Sequence, residues 1–156
     1  MVSRLVDGWL HRAYSAAEPI RTKGAMNPIL ITGALLGLLA VIVGAVAEHA
    51  LIPGLSSDAV RGLDIAMAYH RFGALVILAI GLGLLAPLPS ATRRGLKLAG
   101  TLLVVGTVLF SVPIYLGAAT DLTAAGRLTP LGGLMQLAGW AVLVRTGWWA
   151  GLPEEV

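Results

Sequence analysis

From Pro28 to Ala47 the chain reads PILITGALLGLLAVIVGAVA, an apolar run with Thr32 as its one polar side chain, and it stops at Glu48-His49. Three further apolar stretches follow, over residues 68–86, 98–118 and 130–144. An α-helix rises about 1.5 Å per residue, so about 20 residues cross the hydrocarbon core of a bilayer. The pattern therefore predicts an all-α integral membrane protein, a bundle of four transmembrane helices over residues 28–149. Residues 1–27 form an extension and residues 150–156 a tail.

Breakers between the spans sharpen the prediction. Pro53-Gly54 marks a turn, and Ser57 or Asp58 can cap a helix that continues into the second span. Pro87-Leu88-Pro89 closes that span. Pro113 lies inside the third, where a missing backbone donor predicts a kink or early unwinding. Thr129-Pro130 reads as N-cap and first helical residue of the fourth, which ends at Arg145 with Trp148-Trp149 as an interfacial anchor. In the extension, Leu5 and Trp9 fall at helical spacing, so Arg4–Ala17 reads either as an amphipathic helix on an anionic leaflet or as a disordered segment. A secretory signal fits less well, because the apolar run is of full membrane length.

Composition agrees: 57% of residues are hydrophobic, 12% are charged and the mean hydropathy is +0.86. Such a chain lacks the polar surface of an ordinary soluble domain. The formal charge of +3 does not point to nucleic acid, because the basic residues flank apolar spans. With a cytoplasmic N-terminus, Arg4, Arg12, Arg21, Lys23, Arg93, Arg94, Lys97 and Arg145 lie inside and Arg61, Arg71 and Arg127 outside. That asymmetry places both termini in the cytoplasm, in a bacterial inner membrane. There is no cysteine, which excludes disulfides, thiolate metal sites and cysteine nucleophiles.

The candidate chemistry gathers where the first span ends and the second begins. Ionisable groups at membrane depth pair, face the interior or reach an interface. In a structural reading, His49 and His70 cap helix ends or bond each other, Ser111 or Tyr115, while Glu48 pairs with Arg71. In a ligand reading, His49 and His70 are axial ligands of a b-type haem, or hold copper or zinc with Glu48. Tyr115, Ser111 and Gln136 frame a quinone or lipid pocket in a variant of that reading. Gly33, Gly37 and Gly44 form a small-residue stripe, and Gly132, Gly133 and Gly139 a second, both suited to close helix packing. Gln136 is expected to bond across the bundle to a group such as Thr107. Serines lack an accompanying base and acid, and there is no phosphate loop or metalloprotease helix, so we expect no enzyme activity.

Four strings resemble one family. Gly44–Leu51 (GAVAEHAL) is similar to GAFGAHAL, Tyr69-His70 to a tyrosine-rich stretch leading to a histidine, Phe110–Tyr115 (FSVPIY) to FSGSLY, and Leu128–Trp140 (LTPLGGLMQLAGW) to ITPLGGLAFLIGW. These belong to the YgdD/YwdK-like small inner-membrane proteins, the domain of unknown function numbered 423. The resemblance covers Asn27 to about Arg145. It implies a four-helix membrane bundle with family positions at Gly44, His49, His70, Ser111, Tyr115, Thr129, Pro130, Gly132, Gly133, Gly139 and Trp140. It also implies that Met26-Asn27 is where relatives begin. Ala47, Glu48, Val112-Pro113 and Gln136 depart from the family strings. The family brings no established reaction and names no cofactor. The expected function is a small accessory or scaffold protein, packing against itself or against other subunits of a larger membrane complex such as a respiratory one. Redox or metal chemistry at His49 and His70 is the alternative.

Overall fold

The computed structural model describes residues 26–120 and 123–150, so the expected interfacial helix of the extension, Asp121 and the tail lie outside the described residues. Four long helices account for most of the rest: α1 (Pro28–Val46), α2 (Ser57–Gly83), α3 (Ser90–Ala119) and α4 (Thr129–Ala150). Three of them are long and apolar enough to cross a membrane. The fourth, 22 residues long, falls outside that set. It runs antiparallel along α3, with Gly132 against Phe110, Gly139 against Leu103 and Thr146 against Gly95, and so follows α3 through about four turns.

The helices overrun the predicted spans. α1 begins at Pro28 as expected, and Asn27 is its N-cap: the Asn27 side-chain oxygen accepts from Leu30 N–H at 3.1 Å. The same amide donates to the Gly81 carbonyl at 2.7 Å, tying the start of α1 to the end of α2. At its other end α1 does not stop at Ala47. It widens into a π-turn over Ala47–Leu51, which carries Glu48 and His49, before a short 3₁₀ turn at Ile52–Gly54.

The cap of α2 is Ser56, whose hydroxyl accepts from Ala59 N–H, rather than Ser57 or Asp58. α3 starts at Ser90, well before Leu98, and continues through Pro113 to Ala119 instead of unwinding early. Thr129 is the first residue of α4, and its hydroxyl is buried without a hydrogen bond, so it does not serve as the expected cap.

α2 and α3 form the central pair, with α1 packed chiefly on α2 and α4 on α3. The core is a column of Ile29, Leu36, Ala74, Ile77, Ile80, Leu84 and Leu103, with a smaller cluster of Ala47, Leu63 and Met67 at the π-turn end. Most large apolar side chains instead face outward, among them Leu38, Val41, Leu75, Leu137 and Val144, as lipid-facing residues do.

Glycine sets the helix spacing. A Cβ at Gly33 would lie 2.6 Å from the Leu78 nitrogen, and one at Gly81 would lie 2.5 Å from the Leu30 Cα. Gly132 is pressed against the Leu109–Phe110 backbone in the same way, and Gly106 against Gln136 and the Gly132 carbonyl. Two expected packing glycines behave differently. Gly37 has nothing within 4 Å of its would-be Cβ, and Gly133 meets only the edge of the Phe110 ring at 4.0 Å. Helical periodicity explains both, since each lies a step to the side of the contact stripe.

Gly132→Ala is expected to lower bundle stability by about 2 kcal/mol through forced separation of α3 and α4. Gly147→Ala, where a methyl meets nothing within 4 Å, should leave it unchanged or raise it by up to about 1 kcal/mol. Denaturation of the two variants in mixed micelles, followed by circular dichroism, checks the contrast.

Candidate functional site

Between the α1–α2 turn and the middle of α2, the sequence-predicted residues divide between two places. His70 is only 5% exposed and faces α3, where its Nδ1 lies 3.1 Å from the Tyr115 hydroxyl. We assign the hydroxyl as donor. That leaves the proton on Nε2, on a ring approached by the Leu36 carbonyl, although Nε2 makes no hydrogen bond of full geometry. Close by, the Ser111 hydroxyl donates to the Ala66 carbonyl at 3.1 Å. Tyr69 packs against Phe110 on α3, ring centres 4.9 Å apart, so adjacent residues of α2 both engage α3.

His49 is exposed, as is Glu48. Both line a groove of about 660 Å³ between α1 and α2, whose floor is Gly33, Gly37, Ala40 and Gly44. Arg71 closes the same end of this groove. Its guanidinium lies beside Gly44 and reaches along its own helix to the Met67 sulfur at 3.9 Å, and no Glu48–Arg71 ion pair forms among the described residues.

Among the described residues no three His, Asp or Glu side chains converge, so Glu48, His49 and His70 do not make a three-ligand centre. The physical reason is angular. His49 follows the π-turn out to the groove, while His70 points into the α2–α3 interface. Of the structural alternatives, the His70–Tyr115 contact is the one that forms.

The expected quinone pocket is likewise divided. Tyr115 and Ser111 belong to the α2–α3 contact, whereas Gln136 sits between α3 and α4. Gln136 donates to the Gly106 carbonyl at 3.5 Å, not to Thr107, whose hydroxyl is buried beside Gly73 without a hydrogen bond. Gly132 and Gly139 face α3. A small cleft of about 270 Å³ beside Pro113 is lined by Gly62, Gly117 and Gly126.

Several residues that fix the helices against one another carry no signal in the apolar pattern. Arg93 donates to the carbonyls of Leu84 at 3.0 Å and Ala86 at 2.9 Å, closing the end of α2 onto α3. Phe72 stacks on Trp140 with ring centres 5.7 Å apart, joining α2 to α4. Gly81, Gly100 and Gly106 receive neighbouring helices as closely as the glycines of the two predicted stripes. The Asn27-Pro28 pair did carry a signal, since asparagine before proline is a regular helix start.

Comparison with known proteins matches residues 43–133 to a family described as a protein of unknown function, DUF423. The chain is 34% identical to a UPF0382 membrane protein of Staphylococcus saprophyticus over 119 residues, which cover 76% of this chain and 95% of that one. It is 33% identical to a UPF0382 membrane protein of Staphylococcus haemolyticus, covering 76% and 93%. A UPF0382 membrane protein of Staphylococcus epidermidis is 35% identical over the same shares. No solved structure matches the chain.

Tyr115→Phe is expected to destabilise the bundle by about 1 kcal/mol, because the His70 Nδ1 is left buried without a partner. Ser111→Ala should cost less, about 0.5 kcal/mol, since the Ala66 carbonyl keeps its helical hydrogen bond. Unfolding of both variants in mixed micelles gives the order.

Proposed function

The chain belongs to the DUF423 family of membrane proteins, and on that footing we propose that it is a small accessory or scaffold protein that docks a transmembrane helix of another subunit, or of a second copy of itself. The groove between α1 and α2 carries this reading. Gly33, Ala40 and Gly44 are buried in the bundle, but Gly37, Ala34 and Ala45 leave a shallow floor open along α1. In lipid, helices associate through close van der Waals packing at small residues, because burial of apolar surface supplies no drive when the tails are equally apolar. A helix with a complementary ridge would displace lipid from this floor. The work is shape complementarity, without bond making or breaking, and it needs no cofactor.

The orientation that suits this role puts both termini on the cytoplasmic side of a bacterial inner membrane. Among the described residues, Arg93, Arg94, Lys97 and Arg145 lie at the end of the bundle where α1 starts and α4 finishes, with no acidic residue beside them. Glu48, Asp58 and Asp64 all lie toward the opposite end. This polarity supports the positive-inside assignment. The open groove end, with Glu48, His49 and Arg71, then faces the far side of the membrane.

Gly37→Leu tests the reading without disturbing the bundle, since nothing lies within 4 Å of the position. We expect the variant to keep its helicity and thermal stability while losing at least about tenfold of the partner or second copy retained after gentle solubilisation. Unchanged retention in a folded Gly37→Leu protein would remove the groove as the docking surface.

A further inference from the structure

At the opposite end of the molecule, the start of α3 and the end of α4 enclose a cleft of about 620 Å³. Arg94, Gly95 and Leu98 form one wall, and Arg145, Thr146 and Trp149 the other. The helices are held together beneath it by Gly95, which leaves no room for a side chain against Thr146. Thr146 in turn is fixed by donation to the Val142 carbonyl at 2.7 Å.

The two arginines in the cleft differ from their neighbour. Arg93 is committed to the Leu84 and Ala86 carbonyls. Arg94 and Arg145 make no hydrogen bond or ion pair among the described residues. Two guanidinium groups thus flank one cavity whose described lining contains no carboxylate, and Leu98, Val142 and Trp149 supply its apolar surface.

We propose that this cleft binds an anionic phospholipid. Its phosphate sits between Arg94 and Arg145, and its acyl chains run down over Leu98 and Val142. Guanidinium is suited to the task because its planar donors match phosphate oxygens two at a time. The membrane setting supplies the rest. Basic pockets between transmembrane helices at the interface recognise anionic headgroups, and an interfacial tryptophan such as Trp149 sits at headgroup depth. A zwitterionic headgroup is matched less well, because no acid among the described lining residues receives its cationic end. The site is independent of the α1–α2 groove and lies at the other end of the bundle.

Native mass spectrometry of the full chain, released from nanodiscs holding phosphatidylglycerol and phosphatidylcholine, tests the assignment. The wild-type protein is expected to retain phosphatidylglycerol about tenfold over phosphatidylcholine. Arg94→Gln combined with Arg145→Gln should abolish that preference. Leu98→Trp, which fills the cleft and keeps both charges, should abolish it as well. Lys97→Gln, a charge at the same end that does not line the cleft, should leave it intact. Inorganic phosphate at millimolar concentration should not displace the lipid. Persistence of the preference in both the double variant and Leu98→Trp would overturn the proposal, as would its equal loss in Lys97→Gln. Displacement by free phosphate would overturn the lipid as ligand.

Discussion

Contact between helix backbones is the interaction on which this molecule depends. A bilayer offers no hydrophobic gain for pressing one apolar helix onto another, so helices must approach closely enough for dispersion forces to count. Gly33 and Gly81 do this for α1 and α2, Gly73 for α2 and α3, and Gly106, Gly132 and Gly139 for α3 and α4. Each contact pairs a glycine on one helix with a backbone or a short stretch of side chain on the next. Large residues are left free to face lipid, which is why so many leucines and valines are exposed.

Polar groups refine this packing rather than drive it. Asn27 and Arg93 act at helix ends, where carbonyls have lost their helical partners, and each joins two helices. Inside the bundle, His70 with Tyr115, Ser111 with Ala66 and Gln136 with Gly106 each engage a polar side chain across an interface. Such bonds are worth little individually in a membrane but fix the rotation of one helix against another. The histidine shared with the family strings therefore has a packing role available to it without a metal.

The number of helices and the membrane setting were legible in the sequence, because an uninterrupted apolar run of about 20 residues matches the thickness of a bilayer and exceeds what a soluble core would bury. Residue-level packing was less so. Gly33 and Gly37 look alike in a stripe of small residues, yet only the former meets α2, because 3.6 residues per turn carries the latter toward the groove. The pairing of Glu48, His49 and His70 was inferred from a hairpin with His70 at the start of its second span, whereas α2 starts at Ser57 and the π-turn at Ala47–Leu51 sends His49 to the groove. Nothing in a pattern of apolar residues announces a widened helical turn. Arg93 and Arg94 are neighbours of the same type, and only the loop geometry shows that one is committed to carbonyls while the other is not.

The antiparallel run of α4 beside α3 carries the four-helix account, since α4 is the long helix that falls outside the three apolar spans. Nitroxide pairs report it directly, and the absence of native cysteine makes the labelling clean. Labels at Lys97→Cys and Arg145→Cys should lie at one level, separated mainly by the interhelical spacing of about 10 Å plus the label arms. Labels at Lys97→Cys and Arg127→Cys should be about 27 Å apart along the bundle axis. Pulsed electron resonance in lipid nanodiscs that finds the first distance short and the second long agrees with this packing. Equal distances, or the reverse order, would contradict it.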